Sequence, residues 1–256
     1  MNKDIRASTK SNYMRKLFLA LSVTAFFACK KETVVLPLEQ TVNEDLASYQ
    51  EIASINLGGL GAAEITTFDP LTNRLFAVNN GTTNKIDVID MANPASISVV
   101  KSINMLPYGG YVNSVDVKNG MLAAAIESTN KQAPGKVIVF NTSTLKEIAT
   151  INVGSLPDNV VFSPDGKFIL TANEGEPNDA YTNDPAGTIS IINVENKFTV
   201  TTFDFAGFVS QLSALSAGGF RVFGPGRNFV NDIEPEYITV SNDSKTAWVT
   251  LQENNA

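Results

Sequence analysis

A two-stranded unit recurs four times along the chain. In each copy a short apolar strand is followed by a turn of Asp, Asn, Pro, Ser or Gly and then by a second apolar strand. Asn119-Gly120 and Asp165-Gly166, at two of these turns, are direct hairpin signals. The four copies are EITTFDPLTNRLFAVNN (64–80), NSVDVKNGMLAAAIES (113–128), DNVVFSPDGKFILTANE (158–174) and EYITVSNDSKTAWVTLQE (236–253).

A third and a fourth strand follow the hairpin in three of these units. The third strands are KIDVIDM (85–91), KVIVFNT (136–142) and TISIINV (188–194), and the fourth are SVVKSI (98–103), EIATINV (147–153) and TVTTFDF (199–205). Four antiparallel strands recurring about every 45–50 residues are typical of a β-propeller blade. The alternative is a β-sandwich whose units resemble one another by chance. We therefore predict an all-β fold, an incomplete propeller of about three and a half four-stranded antiparallel blades over residues 50–256.

EIASINL (51–57) has the pattern of an additional fourth strand placed before the first blade. In propellers such a strand commonly completes the last blade, so that no bare sheet edge remains. The sequence ends inside its fourth unit. We therefore expect this chain to be the N-terminal part of a longer protein.

An export signal precedes the repeats. From Met14 a short basic start leads into an apolar run of about a dozen residues that ends at Ala28-Cys29. This run is too short to span a bilayer and is typical of a secretory signal. Phe26-Phe27-Ala28-Cys29 resembles a bacterial lipobox, although Phe26 replaces the usual Leu, and an incidental cysteine is the alternative.

We predict three N-terminal segments from this pattern. Residues 1–28 form a lipoprotein signal peptide, of which residues 1–13 precede a better start at Met14 and are a misassigned start. Cys29 is the lipid attachment site, and diacyl attachment would give stable membrane anchorage. Residues 29–49, polar and without a clear period, form a tether.

The charge and residue composition exclude several classes of function. The net charge is −7 although residues 1–28 contain five basic residues and one acidic residue, so the remainder is more acidic still. An acidic body repels phosphate backbones, which argues against nucleic-acid binding. The sequence has no histidine, which removes Ser-His-Asp and Cys-His nucleophile systems and imidazole zinc sites. We assign no catalytic residue.

LPDNVVFSPDGKFILTANEGEPNDAYTNDPAGTISIINV and FGPGRNFVNDIEPEYITVSNDSKTAWVTLQENNA closely resemble the choice-of-anchor I family. The resemblance covers roughly residues 50–256 and includes runs such as NEGEPND and EPEYI that generic propellers lack. It implies a secreted or surface-anchored propeller of the YVTN/WD-like class, for which a lipid on Cys29 would be one kind of anchor. Some members are labelled alkaline phosphatase or phytase-like, but this chain has no serine-histidine-metal arrangement of a phosphatase.

A polar residue lies near the start of each first strand. These residues are Glu64, Asn113, Asp158 and Glu236. Because the first strand of a blade lines the central channel, their common register predicts a ring at one channel mouth. Such a ring would attract cations and could hold Ca²⁺ through oxygen ligands. The alternative is that these side chains bind strand-end amides and turns.

The segment NEGEPNDAYTNDP, between the second and third strands of one blade, is rich in oxygen donors. Its acidic residues are Glu174, Glu176, Asp179 and Asp184. With Asp158 of the ring, and with Glu234 and Glu236, which flank the stiff Pro235, they form the predicted metal ligands, and Ca²⁺ is the predicted cofactor. Their spacing does not match an EF-hand. Pro177 and Pro185 equally suit an ordered Asx-turn loop without an ion.

Residues 206–234 interrupt the repeat. Ser210–Gly219 has the pattern of a short helix ended by glycine. Arg221 and Arg227 are candidate contacts for a carboxylate or phosphate, and pairing with Asp232 or Glu234 is the alternative.

We interpret the chain as a binding module of the bacterial envelope, lipid-anchored in the outer membrane, with an unidentified ligand and Ca²⁺ dependence. The competing hypothesis is a metal-dependent phosphoester hydrolase with Asp158, Glu174, Glu234 and Glu236 as ligands or bases.

Overall fold

The computed structural model describes residues 46–222 and 228–256. The chain divides into two compact units, Met1–Gln50 and Glu51–Ala256, and the first is described only by a 3₁₀ turn at Leu46–Ser48 and its flanking residues. The signal peptide, Cys29 and Arg227 lie outside the described residues. Within the described ranges no helix has the length and apolar character needed to cross a bilayer.

Three four-stranded antiparallel sheets follow one another along the chain, each with its strands in sequence order. Blade 1 contains β1 (Ala62–Asp69), β2 (Arg74–Asn79), β3 (Lys85–Asp90) and β4 (Ser98–Asn104). Blade 2 contains β5 (Val112–Lys118), β6 (Met121–Ile126), β7 (Pro134–Asn141) and β8 (Glu147–Ser155). Blade 3 contains β9 (Pro157–Phe162), β10 (Phe168–Asn173), β11 (Thr188–Asn193) and β12 (Thr199–Phe203). Blade 4 contains β13 (Ile238–Val240) and β14 (Ala247–Val249). The predicted all-β incomplete propeller is confirmed.

The turn residues account for the hairpins. Lys118 pairs with Met121 across a two-residue loop, in which Asn119 and Gly120 have φ angles of 50° and 78°. Left-handed angles at both positions are those of the tight turn that suits the twist of a hairpin, and Asn-Gly is the pair that adopts them most readily.

The apolar core lies between neighbouring blades. Phe76 and Val88 of blade 1 pack in one buried cluster with Leu122 and Phe140 of blade 2. A second cluster joins blades 2 and 3, and a smaller one joins blade 3 to Ile238 of blade 4. Each sheet therefore buries its faces against its neighbours, as expected for a propeller.

Polar side chains also tie each blade to the first strand of the next one. The first strands lie side by side, with β5 between β1 and β9, and β13 beside β9. The side chains that supply these bonds are Asn80, which directly follows β2 in blade 1, Asn113 and Asp116 in blade 2, and Asn159 in blade 3. Asn80 accepts from Val112 N at 3.1 Å and donates to Val112 O at 2.8 Å. Asn113 donates to Pro157 O at 3.1 Å, and Asp116 accepts from Phe162 N at 2.7 Å. Asn159 accepts from Ile238 N at 3.2 Å.

Residues 51–57, expected to be an additional fourth strand that completes the last blade, do not form a strand in this structure. These residues adopt no regular secondary structure, and none of the described strands pairs with them. A strand exists only through hydrogen bonds to a neighbour, so an alternating apolar pattern alone does not form one. The segment is instead held at its end, where Asn79 Nδ2 donates to Leu57 O at 2.8 Å.

The interruption after blade 3 contains the helix expected there. A 3₁₀ helix at Ala206–Gln211 leads into α1 at Leu212–Ala217, which ends at Gly218. The helical segment begins earlier than the sequence pattern indicated, at Ala206.

Candidate functional site

Asp158 and Glu174 lie together at one end of blade 3. Asp158 is the second residue of β9, and Glu174 directly follows β10. Asn173 pairs with Pro157, and Glu174 N donates to Leu156 O at 2.8 Å. We call this the acidic end: the end of the blades at which first strands begin and second strands finish.

Blade 4 places further carboxylates at the same end. Glu236 lies two residues before β13, and its N–H donates to Thr250 O at 3.1 Å. Glu234 is buried, with 5% of its surface exposed. Pro235 lies between them and fixes the direction of the chain.

The loop 174–187 is fixed against blade 4 by a close approach of two backbones. Gly187 is buried, and a Cβ there would overlap the Ile233 carbonyl oxygen and lie only 2.6 Å from Pro235 Cδ and 2.9 Å from Glu174 O. Only glycine fits between these groups. The glycine therefore holds the Glu174 backbone beside the segment that carries Glu234 and Glu236.

Repulsion and burial both act on Glu174. Loss of hydration is the largest cause, followed by the negative charges of Glu176, Asp158, Glu236 and Glu234, and together they raise the pKa of Glu174 to about 9. Each effect disfavours the ionised carboxyl group. In the absence of a counter-charge, Glu174 is therefore protonated at neutral pH.

The same causes act on its neighbours. Burial, followed by the charges of Glu176 and Glu64, raises the pKa of Asp158. Burial, followed by the charge of Asp158, raises the pKa of Glu236. Lys131 is the one cation that opposes the rise at Asp158, and its Nζ lies 4.0 Å from Glu176 Oε2. The acidic end thus carries negative charge that the fold compensates only in part.

The predicted ring residues have different surroundings. Glu64 is exposed in β1 and acts on Asp158 through its charge. Asn113, in β5, donates its side-chain amide to Pro157 O at 3.1 Å, the strand-end role that was its alternative interpretation. Asp158 and Glu236 both belong to the acidic end.

The outer part of the acidic loop is organised by Asn178. Its Oδ1 accepts from the N–H groups of Thr182 and Asn183 at 2.9 and 3.2 Å. Asp179 is exposed, and the main-chain oxygen of Asp184 accepts from Asn231 Nδ2.

Arg221 lies in the interruption. Its backbone N–H donates to Asn254 O at 2.9 Å, and its carbonyl accepts from Asn254 Nδ2 at 3.0 Å. These bonds connect the interruption to the segment after β14.

Glu127 is a further carboxylate that the sequence patterns did not single out. It directly follows β6 as Glu174 directly follows β10, so comparing the ends of the second strands would have found it. Burial is the largest cause that raises its pKa, and Lys131 opposes the rise. The acidic end therefore extends to blade 2.

Within residues 46–222 and 228–256, no group of three or more His, Cys, Asp or Glu side chains is arranged to hold a metal ion. The carboxylates are close enough to raise one another's pKa values, yet they do not form a ready ligand set. Any cation bound here would have to combine carboxylates with main-chain or water oxygens.

Several solved structures resemble this chain at low identity. They include the hydrazine synthase of Kuenenia stuttgartiensis (11% identity, TM-score 0.38), a eukaryotic initiation factor (15%, 0.42) and the Neurospora crassa Pan2 WD40 domain (11%, 0.43). The matches cover 73%, 73% and 71% of this chain, which spans 61%, 35% and 46% of those chains. No curated protein gives a significant match. The choice-of-anchor I domain matches residues 64–256. Because this match covers most of the sequence, the chain belongs to the choice-of-anchor I family.

Proposed function

We propose that this protein is a binding module of the bacterial envelope, held in the outer membrane by a lipid on Cys29, and that it binds a cationic ligand at the acidic end of its blades. Family membership supports the location at the cell surface or envelope. The observation that carries the choice of ligand is the grouping of Asp158, Glu174 and Glu236, which repel one another.

Ca²⁺ is the cofactor that we assign to this region. Hard oxygen donors are its preferred ligands, and it tolerates irregular sets of carboxylate, carbonyl and water oxygens. A divalent cation would let Glu174 ionise and would relieve the repulsion that raises its pKa. The unidentified ligand then binds at the acidic end, either by contacting this Ca²⁺ ion or through cationic groups of its own. Nucleic acid is not a partner, since its phosphates would meet the same negative field.

Thermal unfolding of the full-length protein in CaCl₂ and in EGTA tests this assignment. Binding to the folded form should add about 2.7 kcal/mol at a hundredfold excess over Kd, which is a rise in Tm of about 5–10 °C for a domain of this size. The double variant Glu174→Gln, Glu236→Gln should lose the rise.

Glu195→Gln is the matched control, because Glu195 is an exposed residue of the turn after β11, and it should keep the rise. No Ca²⁺-dependent shift in the wild type would overturn the assignment. A chelator-sensitive turnover of p-nitrophenyl phosphate would replace it with metal-dependent phosphoester hydrolysis.

Metabolic labelling with a fatty-acid analogue tests the anchor. We expect label on the wild type and none on Cys29→Ser, because the proposed attachment requires the thiol. Equal labelling of the two proteins would exclude this mode of anchoring.

A further inference from the structure

A cavity of about 250 Å³ opens between blades 1 and 2. The loop from β4 to β5 and the loop from β6 to β7 form its walls. Its lining includes Leu106, Pro107, Tyr108, Glu127, Pro134 and Lys136. The cavity lining therefore combines a few apolar side chains with polar ones, among them one acidic and one basic side chain.

The loop before β5 is fitted closely to Glu127. Gly110 N donates to Glu127 O at 2.8 Å, and Glu127 N donates to Tyr111 O at 3.1 Å. A Cβ at Gly110 would lie 2.8 Å from Glu127 Oε1 and 2.9 Å from Glu127 Cγ. Glycine is needed for this approach, which fixes the wall of the cavity against the glutamate.

The carboxylate of Glu127 has an unused acceptor. The residue is 6% exposed, and its Oε1 accepts a long hydrogen bond of 3.3 Å from Tyr111 N. The other oxygen, Oε2, receives no hydrogen bond from any described residue, and the nearest cation is Lys131 Nζ at 4.0 Å.

Lys136 provides a cationic group on the same cavity. Its Nζ donates to Tyr108 O at 2.9 Å, which uses one of its three N–H donors. No carboxylate of the described ranges lies within 4.0 Å of this ammonium group. The cavity thus contains a glutamate whose Oε2 is in only loose contact with Lys131, at 4.0 Å, and a lysine with no carboxylate partner in the described ranges.

We propose that this cavity binds a small zwitterion of the amino-acid type, with its ammonium group on Glu127 Oε2 and its carboxylate on Lys136 Nζ. Charge-assisted bonds of this kind are the strongest polar contacts available to a small ligand. The volume of 250 Å³ is below the range of about 300–1,000 Å³ for drug-sized ligands, which restricts the occupant to a compact molecule. Leu106, Pro107 and Pro134 would contact its carbon atoms.

This site goes beyond the proposed cation site at blades 3 and 4. It requires Glu127, at the blade 2 part of the acidic end, and Lys136, and neither residue is among the proposed Ca²⁺ ligands. It also requires no metal ion. The two proposals can therefore fail separately.

Calorimetric titration of the full-length protein in EGTA tests the site. The probes are glycine, β-alanine, 4-aminobutyrate and 5-aminopentanoate, with propylammonium and propionate as singly charged controls. We expect at least one zwitterion to bind saturably, and at least about tenfold more tightly than either control. Glu127→Gln and Lys136→Met should each weaken that binding at least about tenfold.

The double variant Glu174→Gln, Glu236→Gln is the control for general acidity and should bind the zwitterion unchanged. Leu106→Trp, at the exposed rim, should block entry of the zwitterion without altering either charge. This variant replaces the charge variants as the test if one of them loses its native circular dichroism spectrum. Absence of saturable binding by every zwitterion overturns the site. Equal binding of propylammonium, or binding that survives the substitutions, overturns the zwitterion assignment.

Discussion

The two ends of blades 3 and 4 carry the same acidic residue types in opposite surroundings. At the acidic end, burial and neighbouring carboxylates raise the pKa values of Glu174 and Glu236. At the other end, which we call the turn end, the pKa values of Asp165 and Asp243 are lowered.

Hydrogen-bond donors explain the behaviour of the turn end. Ser163 Oγ donates to Asp165 Oδ1 at 2.6 Å, and Lys167 N donates to the same oxygen at 3.1 Å. Blade 4 repeats this arrangement with Ser241, Asp243 and Lys245, at 2.6 and 3.1 Å. The serine hydroxyl is the largest cause of the lowered pKa in both turns.

The donors around each carboxylate distinguish a structural acid from a binding-site acid. An acid with local donors in a repeated Ser-x-Asp-x-Lys turn stabilises a hairpin, and its charge is already used. An ionised carboxylate that faces other carboxylates destabilises the folded protein unless a bound cation offsets the repulsion. The number of acidic residues does not distinguish the turn end from the acidic end. The hydrogen-bond donors nearest to each carboxylate do.

The largest effect that we expect comes from Gly187→Ala. The added methyl group would overlap the Ile233 carbonyl oxygen and press against Pro235, so the acidic loop would have to separate from blade 4. Overpacking of this kind should lower the free energy of unfolding by about 3 kcal/mol. Gly207→Ala is the matched control, since a Cβ there meets nothing within 4 Å. Equal denaturant midpoints for the two variants would mean that the loop is not fixed as described.

Glu174→Gln should stabilise the protein in EGTA at neutral and alkaline pH. The folded pKa of about 9 lies above the ordinary value of 4.5, so the contribution of this group to stability is fully present below pH 4.5 and is lost as the pH rises to about 9. Glutamine avoids that loss, and the gain at pH 7 should be on the order of 2 kcal/mol. Urea unfolding at pH 4.5 and pH 7 measures it. A variant that is no more stable than wild type at pH 7 would show that Glu174 is not repelled.

Ser241→Ala should have the smallest effect and the opposite pH dependence. It removes the main donor to Asp243, whose lowered pKa stabilises the fold above about pH 4 and loses that contribution as the pH falls. The variant should therefore have a slightly lower Tm at pH 7, and the difference should shrink at pH 3 to the part that comes from the lost hydrogen bond from Thr246 N to Ser241 Oγ. A difference that grows on acidification would remove the contrast between the two ends.

The sequence patterns were sufficient for the blades. Strands of alternating polarity and Asn-Gly or Asp-Gly turns are local signals, and a repeated local signal specifies a repeated sheet. The pattern at 51–57 was misleading because strand formation depends on a partner that local alternation does not reveal. Glu174 could be identified from the sequence because it lies in a segment rich in acidic residues. The position of Glu127 after a second strand could have been found from the sequence, but its burial could not, because it depends on Gly110 and on the loop that leads from blade 1.

The side-chain bonds between blades have a direction, and that direction matters during synthesis. Asn80, Asp116 and Asn159 each reach forward to the backbone of the next first strand. A ribosome delivers the chain from its N-terminus, and domains generally fold in that order. Each finished blade therefore presents aligned donors and acceptors to the strand that emerges after it. Assembly can proceed one blade at a time, with the register of every new sheet copied from the one already in place.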